Sequence, residues 1–160
     1  MSNQYPVREG LNIAFKYLKV QSVAKACGKK TATWITQRLN RNPHNMNSVY
    51  YFSEKDVEAL NKALKDIASN IFMTRIPEHR DDRDAFRFTI MNDLGANLKP
   101  SWFYSDTLGM TSARWALCMR EEGHRLWVSP EQVAVMNKER ERIARELFEM
   151  ELVYEPLTKE

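Results

Sequence analysis

The sequence has little of what stapled, metal-binding or catalytic proteins need. Its 160 residues include 2 cysteines, 5 glycines and 3 histidines. Cys27 and Cys118 are too far apart for a Cys-x-x-Cys ligand pair and make no disulfide framework, so we expect buried or half-buried thiols. His44, His79 and His124 have no metal-ligand spacing, and the glycines form no phosphate-binding loop. The sequence therefore indicates no cofactor, no metal site, no small-molecule substrate and no enzyme.

Long apolar runs are also missing. A membrane-spanning helix needs about 20 consecutive apolar residues, and charged residues interrupt every apolar stretch of this chain after a few positions. The first ten residues lack the basic and apolar regions of a secretory leader. With 43% hydrophobic and 28% charged residues, the composition predicts a soluble, cytoplasmic, folded protein of one ordinary domain or two small ones.

The chain does contain an internal similarity between its two halves. Three blocks recur in the same order: Ala14–Tyr17 with Ala85–Phe88, Gly28–Trp34 with Gly109–Trp115, and Ser53–Phe72 with Ser129–Phe148. The offsets of 71, 81 and 76 residues imply a gain of ten residues before the second Gly–Trp block, which includes 99–104, and a loss of five after it. We interpret the chain as two diverged repeats, at 1–77 and 85–160, joined by a charged linker at 78–84.

Each half has the pattern of four helices. In the first half we predict a helix over 8–20, a short helix capped by Ser22 and stopped by Gly28, and a third helix capped by Thr31 that runs to about Asn40. The β-prone segments 49–52 and 125–128 leave room for one short strand or extended arm per repeat. The predicted fold class is therefore all-α, with tandem helix-turn-helix-like repeats.

Both halves end in a predicted long helix with a clear start. Ser53 with Asp56 resembles a capping box, and Ser129 with Pro130 combines an N-cap with a proline at the first helical position. Apolar residues at helical spacing predict the buried faces. These residues are Val57, Leu60, Leu64, Ile67 and Ile71 in the first long helix, and Val133, Met136, Ile143 and Leu147 in the second, where Arg140 replaces the middle apolar residue.

The functional signal is the helix-turn-helix pattern of the first half, in which the second helix of the pair enters the major groove of DNA. Ala24 supplies a small residue at the helix crossing, Gly28 marks a turn about one residue longer than in phage repressors, and Trp34, Ile35 and Leu39 anchor the second helix inward. Residues 1–52 contain eight Lys and Arg and a single acid. A basic domain of this kind attracts phosphates, although a merely solubilising surface is the alternative.

Eight residues are the predicted DNA contacts. Lys29, Lys30 and Arg41 lie where their side chains would hold phosphates on both sides of the groove. The outward positions of the third helix carry amide and hydroxyl groups, which can read base edges. The full set is Lys29, Lys30, Thr33, Thr36, Gln37, Arg38, Asn40 and Arg41.

The second half predicts a different role. Arg114, Leu117 and Cys118 stand where the first half has Thr33, Thr36 and Gln37, and acids follow at 121–122 where they would repel phosphate. We therefore expect packing or self-association from this half. Leu117, Trp102 and Phe103 are the candidate interface groups, and extra core is the preferred alternative for the two large aromatics.

The charged segment 77–84 admits two interpretations. Its clustered carboxylates could bind Mg²⁺ in a nuclease. The arginines interspersed among them favour a solvated linker.

The segments Trp34–Asn42 and Phe52–Ile67 resemble a group of short uncharacterised proteins of Bacteroides-type bacteria and their phages, which share a Trp-x2-Gln-Arg-Leu-Asn-x-Asn core. The resemblance covers about the first half of the chain. It implies a small helical domain with a helix-turn-helix and a bacterial or phage origin, and it supplies no catalytic residues. The group usually has Asn-Gly-Lys where this sequence has Met46-Asn47-Ser48, which implies a different turn.

Taken together, these patterns predict a bacterial or phage transcriptional regulator. Its first half would bind double-stranded DNA, and its second half would support packing or formation of a homodimer. The alternative is a helical protein-interaction module, such as a phage-encoded inhibitor or adaptor, whose basic surface binds an acidic protein partner.

Overall fold

The computed structural model describes residues 3–29, 31–40, 50–120 and 126–156, and most of them are helical. The elements in chain order are β1 (Asn3–Pro6), α1 (Val7–Ala14), α2 (Val20–Ala26), α3 (Thr33–Leu39), α4 (Glu54–Met73), α5 (Arg83–Phe88), the π-helical segments Thr89–Leu94 and Trp102–Asp106, α6 (Ser112–Cys118), α7 (Pro130–Glu149) and β2 (Met150–Val153). Several predicted features lie outside the described residues, namely Lys30, Arg41, the turn at 46–48 and the acids at 121–122. Within the described ranges, no helix has the length and apolar character needed to cross a membrane.

The chain forms two compact units that do not follow the predicted division at 78–84. Unit 1 comprises residues 1–67 and 146–160, and unit 2 comprises residues 68–145. The boundaries fall inside α4 and inside α7. The end of each long helix therefore belongs to the unit that is built from the other half of the sequence.

Unit 1 contains the two strands, which the sequence did not predict. β1 and β2 pair in parallel, with Asn3 opposite Met150 and Pro6 opposite Val153. Buried Gly10 of α1 lies beneath this pair, because a Cβ atom at this position would clash with the Leu152 side chain and come within 3.2 Å of Tyr5. A glycine in α1 thus lets the strand pair approach the helix closely.

The segments predicted as short strands or extended arms contain no strand, since residues 50–53 and 126–129 form neither helix nor strand. Side chains from other parts of the chain hydrogen-bond to the backbone of these segments. The Tyr51 carbonyl accepts a hydrogen bond from Arg38 Nε at 3.0 Å, and the Val128 amide donates to His79 Nδ1 at 2.9 Å. These bonds satisfy the segments locally and remove the need for a strand partner.

The short helices of unit 1 begin and end differently from the prediction. α1 ends at Ala14, because the Ala14 carbonyl accepts from the amides of both Tyr17 and Leu18 in a turn, at 3.1 and 3.0 Å. α2 then begins at Val20, so Ser22 lies inside the helix and not at its N-terminus. The predicted stop at Gly28 is confirmed, with a φ of +77° that favours glycine.

Both long helices begin as predicted. At α4, the Asp56 amide donates to Ser53 Oγ at 3.1 Å and the Ser53 amide donates to an Asp56 carboxylate oxygen at 2.9 Å. At α7, the Gln132 amide donates to Ser129 Oγ at 3.1 Å and the Ser129 amide donates to Gln132 Oε1 at 2.9 Å. The predicted inward apolar residues of both helices are confirmed as buried.

The ends of the long helices are held by polar side chains. In unit 2, Arg140 is 2% exposed and donates from its NH1 group to the carbonyls of Ile71 and Phe72 at 2.7 and 2.6 Å. In unit 1, Lys65 Nζ donates to the Phe148 carbonyl at 2.8 Å. Burial lowers the pKa of Arg140, while Glu141 raises it and Arg75 lowers it further. Cations at these positions satisfy last-turn carbonyls of α4 and α7.

In the described part of each unit, an asparagine bonds to both backbone polar groups of a single residue. Asn61 donates to the Leu152 carbonyl at 2.9 Å and accepts from its amide at 2.8 Å. Asn137 does the same with Ile76, at 2.9 Å for both bonds. These two amide clamps fix the segments that follow α7 and α4.

Unit 2 has an aromatic core. Trp102 and Phe103 are each 2% exposed, so they belong to the core and not to an interface. The His79 ring is fully buried, stacks on Phe86 at 4.5 Å and lies 4.9 Å from Trp127. The segment 77–84 is therefore more than a solvated linker, although most of its charged residues are exposed as expected.

Candidate nucleic-acid interface

α2, the turn at Gly28 and α3 form the local frame of the predicted DNA-binding surface. The Gly28 amide donates to the Lys25 carbonyl at 3.0 Å and the Lys29 amide donates to the Ala24 carbonyl at 2.9 Å. This pair of bonds is a Schellman motif, which ends α2 and turns the chain toward α3. Six residues separate the helices, more than the three to four that are usual in a helix-turn-helix.

α3 is held at both ends by side chains from other helices. Gln21 of α2 accepts a hydrogen bond from the Ala32 amide at 2.8 Å, so the N-terminal capping role predicted for Thr31 falls to Gln21. Arg8 of α1 donates to the Leu39 carbonyl at the other end. Neither contact could be predicted from the sequence, because both partners are distant in the chain.

Trp34 fixes the rotation of α3. Its ring lies edge-on to Phe52 at 5.7 Å and carries two cations, Lys29 Nζ at 4.8 Å and Arg38 Cζ at 4.6 Å. Ile35 is fully buried, whereas Trp34 and Leu39 are half-buried. The predicted anchoring side of α3 is thus found, with only Ile35 completely inside.

The opposite side of α3 presents polar groups to solvent. Thr33, Gln37 and Asn40 are all exposed, and their spacing of four and three residues puts them on one face. Among the described hydrogen bonds, none involves the side chains of these three residues. Their hydroxyl and amide groups can therefore bind an outside partner.

The other predicted contacts divide into two groups. Thr36 is half-buried and donates to the Thr33 carbonyl at 3.2 Å. Arg38 donates to the Tyr51 carbonyl and, at 2.9 Å, to the Trp34 carbonyl, and it stacks on Trp34 beside half-buried Lys29. These side chains support α3 itself. Lys30 and Arg41 lie outside the described residues.

Charge is distributed differently in the compact units than in the sequence halves. The sequence carries +7 over residues 1–77 and −4 over 78–160. Unit 1 has 12 basic and 10 acidic residues, and unit 2 has 12 basic and 11 acidic residues. The balance arises because the acidic end of the chain belongs to unit 1. The stretch from residue 10 to 53, which holds α2 and α3, still contains no acid.

α6 of unit 2 has a different surface from α3. Thr111 caps it by accepting from the Arg114 amide at 3.2 Å, and Trp115 and Cys118 are buried. Its exposed positions are Ser112, Ala113, Arg114, Ala116 and Leu117, the last 38% exposed. No amide side chain occurs on this helix.

The described ranges also contain two free cysteines, Cys27 and Cys118. No cluster of three or more His, Cys, Asp or Glu residues there is arranged to hold a metal ion. Burial raises the pKa of Cys27 to about 11, with Lys29 lowering it and Asp56 raising it. Burial also raises the pKa of Cys118, against an opposing effect of Arg114. Both thiols stay protonated near neutral pH.

Residues 7–76 match a family described as a domain of unknown function, DUF5053. The match begins at the first residue of α1 and ends at Ile76, the residue bound by Asn137. No curated protein and no solved structure matches the chain.

Proposed function

We propose that this protein is a transcriptional regulator that binds double-stranded DNA, with α2, the Gly28 turn and α3 acting as a helix-turn-helix. The observation that carries the proposal is the exposed face of α3, where Thr33, Gln37 and Asn40 present side-chain groups that can bond to base edges. A helix held at both ends and by Trp34 presents these groups with little loss of conformational entropy on binding.

Basic residues around this face supply the contacts to phosphates. Lys25 is exposed in the last turn of α2, and Lys30 and Arg41 flank α3 in the sequence. Each cation that neutralises a phosphate releases a counterion from the DNA. Removing that cation therefore makes binding less dependent on salt. The near balance of charge in unit 1 makes this local cluster, and not the unit as a whole, the source of attraction.

The test is fluorescence anisotropy with a labelled mixed-sequence duplex over a series of salt concentrations. We expect binding that weakens steeply with salt. Replacing Lys30 and Arg41 by glutamate together should reduce the slope of log K against log salt by about 2, since each phosphate contact contributes about 1.

The matched control reverses the charge of two lysines on helices other than α3. Lys62→Glu with Lys138→Glu makes the same change in net charge at exposed positions of α4 and α7 and should leave the slope unchanged. Absence of DNA binding even at low salt would refute the proposal. If Lys30→Glu with Arg41→Glu abolishes binding to polyglutamate but not to DNA, the acidic protein partner becomes the better account.

We also propose that the two halves are diverged copies of one unit of about 75 residues that exchange the ends of their long helices, with the second copy serving packing or self-association. The two amide clamps support this, because Asn61 and Asn137, like their partners Leu152 and Ile76, are 76 positions apart. The family match over 7–76 supports the same boundary.

Backbone bonding adds support and changes the alignment. The turn in which Tyr17 and Leu18 bond to Ala14 recurs where Asn97 and Leu98 bond to the Leu94 carbonyl, an offset of 80. Ala14 ends a helix while Ala85 lies near the start of one, so the first sequence block is not equivalent in structure. The helical residues 100–106 then correspond to α2 at the same offset of 80, so the gain of ten residues inferred from the first block does not hold.

The proposed exchange of helix ends predicts which segment loosens when each amide clamp is removed. Asn61→Ala should lower the free energy of unfolding by about 1–3 kcal/mol, because the backbone groups of Leu152 lose both partners. Hydrogen exchange followed by mass spectrometry should show faster exchange at 148–153, far along the chain from the substitution. Asn137→Ala should speed exchange at 72–78 instead.

Asn70→Ala is the control, since Asn70 is an exposed asparagine of α4. It should change stability by less than about 0.5 kcal/mol. Faster exchange confined to the helix that carries each substitution would contradict the exchange of helix ends.

A further inference from the structure

We infer that α3 selects A·T base pairs in the major groove, an inference that rests on the proposed DNA binding. Gln37 of α3 and Asn40, the residue that follows the helix, are exposed amides, and an amide can donate to adenine N7 and accept from adenine N6 in a bidentate pair. Thr33 adds a methyl group that can contact the thymine methyl. The three side chains therefore share a preference for A·T base pairs.

The residue of α3 that would favour guanine is engaged in other contacts. Arginine bound to guanine O6 and N7 is the commonest base-specific contact. The only arginine within α3 is Arg38, whose Nε and NH1 groups donate to the carbonyls of Tyr51 and Trp34. Its guanidinium also lies 4.6 Å from the centre of the Trp34 ring. Arg38 is thus committed to holding α3, which leaves base reading to amides and a hydroxyl.

The spacing of these three side chains sets the length of the DNA segment that they contact. A helix rises about 1.5 Å per residue, so Gln37 lies about 6 Å along the axis from Thr33 and Asn40 about 4.5 Å further. Base pairs of a duplex are about 3.4 Å apart. The three side chains together reach roughly three to four base pairs, and Gln37, in the middle, is the residue on which selectivity depends most.

The preference for A·T pairs belongs to α3 and not to its counterpart α6. The exposed residues Ala113, Ala116 and Leu117 of α6 have no groups that hydrogen-bond to bases, and the exposed Arg114 beside them would favour guanine. If both units touch DNA, the selection of A·T pairs still comes from unit 1.

The experiment measures anisotropy on three duplexes of equal length in which a central four-pair segment is A·T, G·C or inosine·C. Inosine keeps the O6 and N7 atoms of guanine in the major groove but lacks its minor-groove amino group. We expect the A·T duplex to bind at least about fivefold more tightly than the other two. If inosine·C binds as tightly as A·T, the preference comes from the minor groove and the inference is refuted.

Substitution of Gln37 gives the second arm. Gln37→Ala should remove most of the preference for A·T while the salt-dependent binding common to all duplexes remains, and Gln37→Arg should shift the preference toward G·C. Gln4→Ala, at an exposed position of β1, is the control and should keep the preference. Equal binding of all duplexes, or an unchanged preference in Gln37→Ala, refutes A·T selection but leaves the proposed function standing. Failure of the unmodified protein to bind any duplex refutes the proposed function itself.

Discussion

Arg140→Ala is expected to lower the free energy of unfolding by about 3–5 kcal/mol, measured by urea denaturation. The side chain is 3% exposed and bonds to the Ile71 and Phe72 carbonyls and, at 3.1 Å, to Asn137 Oδ1. Its removal leaves the buried Ile71 carbonyl and the part-buried Phe72 carbonyl without their donor, and it also opens a cavity.

Two further variants separate these causes. Arg140→Met keeps much of the volume but donates nothing, so it should recover only the part of the loss that comes from the cavity. Arg142→Ala removes an exposed arginine of the same helix, whose ion pair with Glu139 at 3.0 Å lies at the surface, and should cost less than about 1 kcal/mol. Equal effects of Arg140→Ala and Arg142→Ala would show that the buried bonds contribute nothing.

His79→Ala is expected to lower the free energy of unfolding by about 2–4 kcal/mol. The substitution removes a fully buried ring that stacks on Phe86, and it removes the Nδ1 atom that accepts from the Val128 amide. Because the Val128 amide lies just before α7, the start of that helix should exchange hydrogen faster in the variant.

The two roles of His79 can be tested one at a time. His79→Phe keeps a stacking ring without the acceptor, and His79→Asn keeps an acceptor without the ring, so each should lose only part of the stability. Arg80→Ala, at the exposed neighbouring position, should cost less than about 0.5 kcal/mol. A loss for His79→Ala as small as that of Arg80→Ala would mean that the segment behaves as the solvated linker that its charges suggested.

The sequence predicted best where the interaction is local. Capping at Ser53 and Ser129, the stop at Gly28 and the apolar faces of α4 and α7 all depend on residues within one or two helical turns. The buried His79 and the strand pair depend on partners far along the chain. No periodicity in the sequence records which of several charged or polar residues will meet them.

The candidate site shows the same division. Pattern alone put Thr33, Gln37 and Asn40 on an outward face and Ile35 inside. It could not show that Arg38 bonds to the Tyr51 carbonyl, or that Arg8 and Gln21 hold the ends of α3, because Arg and Gln have many equally good partners on a surface. The sequence also suggested a basic half and an acidic half. The two compact units are nearly balanced in charge instead, because the acidic end of the chain belongs to unit 1.

The parallel pairing of β1 with β2 bears on the order in which the chain is made. Residue 67 and the first residue of β2 at 150 are separated by a stretch that a ribosome needs roughly 4–17 s to translate at about 5–20 residues per second. Throughout that interval Gly10 and Asn61 have no Leu152 to contact. The unit that contains α3 therefore reaches its finished form only after synthesis of the rest of the protein, and until then its uncovered apolar surface is available to chaperones.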